Sequence, residues 1–295
     1  MNENAILIPI QMLLILAILS ILARMLFVYA SKKVPFGNVP QLIKGFFIGL
    51  VTDTLDTWGI GSFATTTTLF KITRFLPAKN DNELPGTMSV AHAIPVMVEA
   101  LFFITAIKVE LTTLIPMTTA AFLGALFGSN LTKNWKTNRV RRVLGALLIL
   151  ATVIMVVRLV FNIGANVSES VHGLTLPWLI AGVVFNFVLG VLMTMGLGNY
   201  APELVFFSLA GVNPLIALPV MMLDAAAILL TSAHQFIHQK RVFWPGLASV
   251  TTGGVLGVIF AATIVTTLNL QVFKIATIAI VAYTGGMLIY ESIKN

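Results

Sequence analysis

The stretch from Thr57 to Thr68 reads "TWGIGSFATTTT" and interrupts an otherwise apolar chain. Two glycines, Gly59 and Gly61, flank one isoleucine, and six of the seven residues from Ser62 to Thr68 are small or hydroxylated. Asp53 and Asp56 stand just upstream, one helical turn apart. A helix that stops at Gly59 leaves N–H and C=O groups without their helical partners. Inside a bilayer this is tolerated only where protein or a water-lined cavity satisfies them. The fold therefore turns on what surrounds the break.

The surroundings are membrane. The chain has 295 residues, 58% of them hydrophobic and 10% charged, with mean hydropathy +0.96. Soluble domains carry about 25% charged residues. Cysteine is absent, which removes disulfides, thiolate metal sites and cysteine nucleophiles. The net charge of +7 fits cytoplasmic loops rich in Lys and Arg and implies no nucleic-acid partner. The opening "MNENAILIPIQMLLILAILSILARMLFVYA" lacks a basic start and a small-residue cleavage site. It reads as a retained first membrane helix.

Apolar stretches predict membrane segments near 5–30, 41–58, 62–75, 88–107, 112–130, 142–161, 177–195, 200–211, 213–232, 246–267 and 273–291. Segments 62–75 and 200–211 are too short to span alone. Each follows a Gly-x-Gly break and reads as the second arm of a hairpin dipping into the membrane. Basic residues cluster at Lys32, Lys33 and Lys44, at Lys71, Arg74 and Lys79, at Lys133, Lys136, Arg139, Arg141 and Arg142, and at Lys240 and Arg241. Placing these inside puts the N-terminus outside, the C-terminus in the cytoplasm and the connection at 162–176 outside. Arg158, near an outer end, is placed to snorkel.

The two halves echo one another. Gly59-Ile60-Gly61 recurs as Gly196-Leu197-Gly198, 137 residues on. "IPVMVEA" from Ile94 recurs as "LPVMMLDA" from Leu218, 124 residues on, and "TTAAFLGALFG" from Thr118 as "TTGGVLGVIFA" from Thr251, 133 residues on. With the sidedness above, the units are inverted. The fold class expected is an all-α polytopic membrane protein of two inverted repeats, each a broken-helix hairpin plus three spanning helices, preceded by one extra helix. The divisions are 1–40, 41–162 and 163–295. Inverted repeats with interrupted helices mark secondary transporters, which bind substrate near mid-membrane.

At these breaks the chain resembles the sulfite exporter TauE/SafE family, also called the toluene sulfonate uptake permeases. Those proteins carry a Gly-Ile-Gly-Gly-Gly break in each repeat and a Gly-Thr-Ser entry to the following helix, matched by Gly86-Thr87-Met88-Ser89. Ser62 and Asn199 stand where the family has a third glycine. The likeness covers Lys44 to about Tyr290. It implies a permease for a small sulfur-containing or organic anion, such as sulfite or an organosulfonate, moved by alternating access with ion coupling.

The residues themselves point to an anion held between two helix starts, each offering free N–H groups and about half a positive charge. The expected binding residues are Gly59, Gly61, Ser62, Thr65 and Thr66 at the first break, and Gly196, Gly198, Asn199 and Tyr200 at the second. Carboxylates within spans are costly and read as functional by default. Asp53, Asp56, His92, Glu99, Glu203 and Asp224 are the expected ion-coupling residues. The alternative for Asp53 and Asp56 is that they cap the broken helix; for His92, a hydrogen-bonded packing histidine; for Glu203, an N-terminal stabiliser. A cation or proton-coupled transporter built on these carboxylates stays open. An intramembrane enzyme does not fit, since neither His-Glu-x-x-His nor Gly-x-Ser-x-Gly occurs. His234 and His238 share a helix face without a carboxylate, so no metal and no cofactor is expected. The partners expected are a small anionic substrate and the lipid bilayer of the plasma membrane, with a homodimer as an open option and no nucleic acid.

Because the chain has no cysteine of its own, single introduced cysteines report sidedness directly. Position 167 should label from outside intact cells and position 137 should not. The reverse pattern would invert the topology.

Overall fold

The structure is a computed structural model that describes residues 3–31, 34–131, 136–161, 172–195, 197–212, 214–265 and 270–294. Among these residues it is all-helical. The helices are α1 (Glu3–Ser31), α2 (Val39–Thr57), α3 (Ser62–Thr73), α4 (Leu84–Ala106), α5 (Leu111–Leu131) and α6 (Thr137–Val160), then α7 (Leu176–Met193), α8 (Tyr200–Leu209), α9 (Ala217–His238), α10 (Leu247–Val265) and α11 (Leu270–Lys294). Short 3₁₀ turns, Ala78–Glu83 and Pro214–Ile216, lead into α4 and α9.

Eight of these helices, all but α2, α3 and α8, are long and apolar enough to cross a membrane. The chain is a multi-pass membrane protein in its helical content and apolarity. In α6 only 22% of the spanning window is buried within the protein, against 83% in α4. Leu147, Leu150 and Val153 on α6 are exposed, as expected of a face turned to hydrocarbon. The three remaining helices all adjoin the breaks, α2 and α3 at the first and α8 at the second. Helix α2 carries Lys44, Asp53 and Asp56, and α3 and α8 have 12 and 10 residues, too short to cross alone.

The chain forms two compact units, each drawn from both ends of the sequence. The first contains α1–α4, most of α9 and α10. The second contains α5–α8, the opening of α9 and α11. In the first, α2 packs along α10 and α4 packs on α10 and α1. In the second, α5 packs along α7 and α6 along α11.

Glycine sets the closest of these pairs. A Cβ on Gly49 would collide with the carbonyl oxygen of Val250, one on Gly253 with that of Phe46, and one on Gly257 with that of Leu50. In the second unit, a Cβ on Gly124 would strike the carbonyl of Phe187 and one on Gly190 that of Ala121. Lipid tails are as apolar as leucine, so helices in a bilayer associate through close packing rather than hydrophobic expulsion, and small residues permit it.

Pro95 sits inside α4 and cannot donate to the carbonyl four residues back. That carbonyl, Ala91, instead accepts from the Thr251 hydroxyl of α10 at 3.0 Å. Gly254, one turn along α10, has no side chain because one would meet Asp53 and the Pro95 ring. The α4 proline, the α10 threonine and the α2 aspartate thus occupy one packed neighbourhood.

Two sequence expectations change. The segment placed at 213–232 begins at Ala217 and runs on as α9 to His238, so the helix takes in both His234 and His238. The His234 Nδ1 bonds the Leu230 carbonyl at 2.8 Å and its Nε2 meets the Ser20 hydroxyl of α1 at 3.0 Å. The helix then stops at Lys240, which is left-handed (φ 58°), and Arg241 N–H closes on Phe236. Arg158 does more than snorkel: its Nη1 donates to the Ser208 carbonyl, in the last turn of α8, at 2.8 Å.

Gly49→Val and Gly190→Val should each destabilise the protein by about 1–3 kcal/mol through overpacking of a helix pair. Gly286→Ala, where a Cβ meets nothing within 4 Å, should be neutral or stabilising by up to about 1 kcal/mol. Unfolding of the purified variants in detergent measures both; equal effects would remove the close-contact account.

Candidate functional site

Helix α2 ends where Gly59 (φ 89°) takes a conformation that only glycine adopts freely. Ile60 N–H reaches back to the Leu55 carbonyl at 3.0 Å and Gly59 N–H to that of Asp56 at 2.7 Å. This satisfies carbonyls that the break would otherwise leave bare. The second break is similar: Leu197 N–H points to the Leu192 carbonyl at 3.4 Å. Gly61 (φ 88°) and Gly198 have nothing within 4 Å of where a Cβ would stand, so both breaks adjoin open space. Gly196 lies outside the described residues.

The first unit holds a chain of buried polar groups. Asp53 and Asp56 lie on α2, Thr66 on α3 and His92 on α4, each 0–2% exposed. His92 Nδ1 meets both carboxylate oxygens of Asp53, at 2.9 and 3.0 Å. A carboxylate only accepts, so Nδ1 carries a proton when Asp53 is ionised. The other ring nitrogen meets the Thr66 hydroxyl at 2.9 Å. Thr66 donates to a neutral ring and accepts from a protonated one, so His92 can take up or release a proton without losing either partner. Asp56 caps α3: its Oδ1 accepts from the Ser62 N–H at 2.5 Å.

The second unit is organised differently. Asp224 on α9 accepts from the Thr118 hydroxyl of α5 and the Asn186 amide of α7. Glu203, in the first turn of α8, accepts from the Asn199 amide at 2.5 Å, and that same amide donates to the Met221 carbonyl at 3.1 Å. Met221 and Asp224 are one turn apart on α9. Glu203 and Asp224 lie close enough for their charges to act on each other. All four polar side chains, Asn186, Asn199, Glu203 and Asp224, are at most 1% exposed.

Within its own unit, each expected residue is accounted for in turn. Asp53, Asp56, Ser62, Thr66 and His92 come together. Thr65 does not turn outward: its hydroxyl donates to the Gly61 and Ser62 carbonyls of its own helix, at 3.1 and 2.9 Å. Glu99 is fully buried, about two turns along α4 from His92. Asn199, Glu203 and Asp224 come together, and Tyr200 is buried beside them in sequence at the start of α8. The sequence reading passed over Asn186 and Thr118. Asn186 had a signal: it is an amide inside an otherwise apolar helix, "LPWLIAGVVFNFVLGVLM", where such a group needs a partner. Among the described residues, no group of three or more His, Asp or Glu is placed to hold a metal ion.

The geometry departs from the expected anion site in one respect. The Ser62 amide, the Thr66 hydroxyl and the Asn199 amide all have partners, and two of those partners, Asp56 and Glu203, are the protein's own carboxylates. Compared with protein-family models, curated proteins and solved structures, the chain matches none of them.

Removing one member of the buried His92–Asp53 hydrogen-bonded pair strands the other. His92→Ala should destabilise by about 3–5 kcal/mol. Adding Asp53→Asn should cost less than the sum of the single changes, with a coupling of about 0.5–3 kcal/mol in a double-mutant cycle of unfolding. Strict additivity would mean that the two side chains do not act as a pair.

Proposed function

We propose that the protein is a secondary transporter of a small anion, in which a tethered carboxylate and the substrate compete for one helix start. The observation that carries this is Asp56 on the Ser62 N–H, beside the open space at Gly61. The start of a helix attracts negative charge. Here a side chain of the same chain supplies it. Protonation of Asp56 removes its charge and weakens its hold, so the amide becomes available to an incoming anion. Proton uptake and anion binding are then coupled through one position. The charges of Asp53 and His92 act on Asp56 in the same unit, and His92, between Asp53 and Thr66, is a second group there that can hold a proton.

Transport also draws support from internal repetition. Leu50 and Phe187, the two carbonyls met by Gly257 and Gly124, are 137 residues apart, the spacing of Gly59 and Gly196. Gly124 and Gly257 are 133 apart, the spacing of Thr118 and Thr251. The Ile60-to-Leu55 and Leu197-to-Leu192 contacts keep the 137-residue step at both ends. Two inverted repeats that exchange a helix, α10 packing on α2 and α5 on α7, account for these equal steps and for units drawn from both halves of the chain. The likeness to the TauE/SafE permeases, read at the Gly-x-Gly breaks, makes a sulfonate or sulfite the first substrate class to try. A plasma-membrane location with the N-terminus outside and the C-terminus in the cytoplasm belongs to the same proposal.

Purified protein should bind sulfite or methanesulfonate more tightly as pH falls and Asp56 becomes protonated. Asp56→Asn should bind about tenfold more tightly at neutral pH, a gain of about 1.4 kcal/mol, with the pH dependence flattened. In proteoliposomes the same variant should lose gradient-driven uptake. Failure of both proteins to bind any sulfonate, sulfite or carboxylate would end the anion reading.

A further inference from the structure

We infer that the second unit holds a binding site for an alkali-metal cation of sodium's size, formed by Glu203, Asp224, Asn186 and Asn199. The inference rests on the transporter reading only for the use of the ion, as the coupling partner; binding itself stands apart from it.

Acidic residues alone would not make a site. The informative atoms are neutral. Asn186 and Asn199 are 0% and 1% exposed, and each spends its amide N–H on a carboxylate. Among the described residues their carbonyl oxygens, Asn186 Oδ1 and Asn199 Oδ1, meet no hydrogen-bond donor, and neither does Glu203 Oε2. Three buried oxygens that can only accept are therefore left over in one neighbourhood. A buried acceptor without a donor is costly, and native proteins leave few of them.

The kind of ligand follows from what would satisfy them. A proton joins at most two oxygens, so one proton on Glu203 leaves an acceptor over. A cation accepts contacts from all of them at once. Hard cations take oxygen ligands of this mixed kind, carboxylate with side-chain carbonyl. The charge also fits. Two carboxylates contribute two negative charges, and the hydrogen-bond partners of both are neutral. The start of α8 contributes only about half a positive charge in opposition. The first unit does not share the need, because there His92 already lies against Asp53. The open space at Gly198 lies next to Asn199 in the chain. Two carboxylates in place of three or more favour a monovalent ion, which binds loosely enough to leave again.

The test uses the full chain in detergent at one pH and constant ionic strength, with choline chloride replaced stepwise by sodium chloride. The unfolding temperature should rise saturably with sodium, as it does when a ligand binds only the folded state. Glu203→Gln and Asn186→Ala should each raise the half-saturating sodium concentration by about tenfold or more, the loss expected when a charge-bearing or carbonyl ligand is removed. Should a variant fail to fold, equilibrium dialysis of wild-type protein with radioactive sodium should give one ion per chain. An unfolding temperature equal in choline and sodium, or a sodium response that both variants retain unchanged, overturns the site. A response to pH without one to sodium makes it a proton site and also overturns it. Sodium binding in a protein that moves no anion in proteoliposomes would leave the site standing and remove the transport reading. Anion transport without sodium binding would do the reverse.

Discussion

The structure depends on one constraint: no backbone N–H or C=O in the hydrocarbon layer can rely on water. Unbroken helices meet it by themselves. The two breaks do not, and their surroundings are arranged around that deficit. At Gly59 the chain turns back so that Ile60 and Gly59 satisfy the last carbonyls of α2. At the start of α3, Asp56 takes the amide of Ser62. At its far end, Lys44 reaches the Thr73 carbonyl at 3.3 Å. Helix α8 repeats the scheme, with Glu203 in its first turn and Arg158 on the Ser208 carbonyl. Each short helix carries an anion at its positive end and a cation at its negative end, the arrangement its dipole favours. The same constraint accounts for Thr251 on the carbonyl that Pro95 leaves bare.

Satisfying the breaks with charges creates groups that are expensive to bury, and the two units meet that expense differently. In the first, His92 lies between Asp53 and Thr66, so a carboxylate has an ionisable partner and the cluster is closed. In the second, the partners of Glu203 and Asp224 among the described residues are neutral amides and a hydroxyl, and acceptor oxygens remain there. One cluster is suited to moving a proton and the other to holding a cation.

The breaks can be placed reproducibly because the helices that carry them are held tightly. Helix α2 meets α10, and α7 meets α5, through glycines that put backbone against backbone. Such pairs have little freedom to slide, since a one-residue shift would set a side chain against a carbonyl. Gly61 and Gly198 each adjoin open space at the end of a helix held in this way, which is what a binding position needs if its donors are to be aligned beforehand.

Much of this was legible in the residues. Hydropathy set the membrane class and located each of the eleven helices among the described residues, with ends displaced by up to six residues at α9, because helix formation in lipid is a local requirement on each segment. The Gly-x-Gly pairs marked the breaks, and at the first of them both glycines take positive φ. Intramembrane Asp53, Asp56, His92, Glu203 and Asp224 stood out because burying them has a cost that must be met somewhere. Pairing was not legible. Nothing local says that His92 meets Asp53, 39 residues earlier, or that Thr118 and Asn186 converge on Asp224 from two other helices. Nor does the sequence say that Asp56 lies on the helix start it precedes, which turns an expected free anion position into one that the chain itself fills. The sequence determined which groups must find partners; packing of distant helices decided which partners they found, because hydrogen bonds act over about 3 Å and only the tertiary fold brings such groups within that reach.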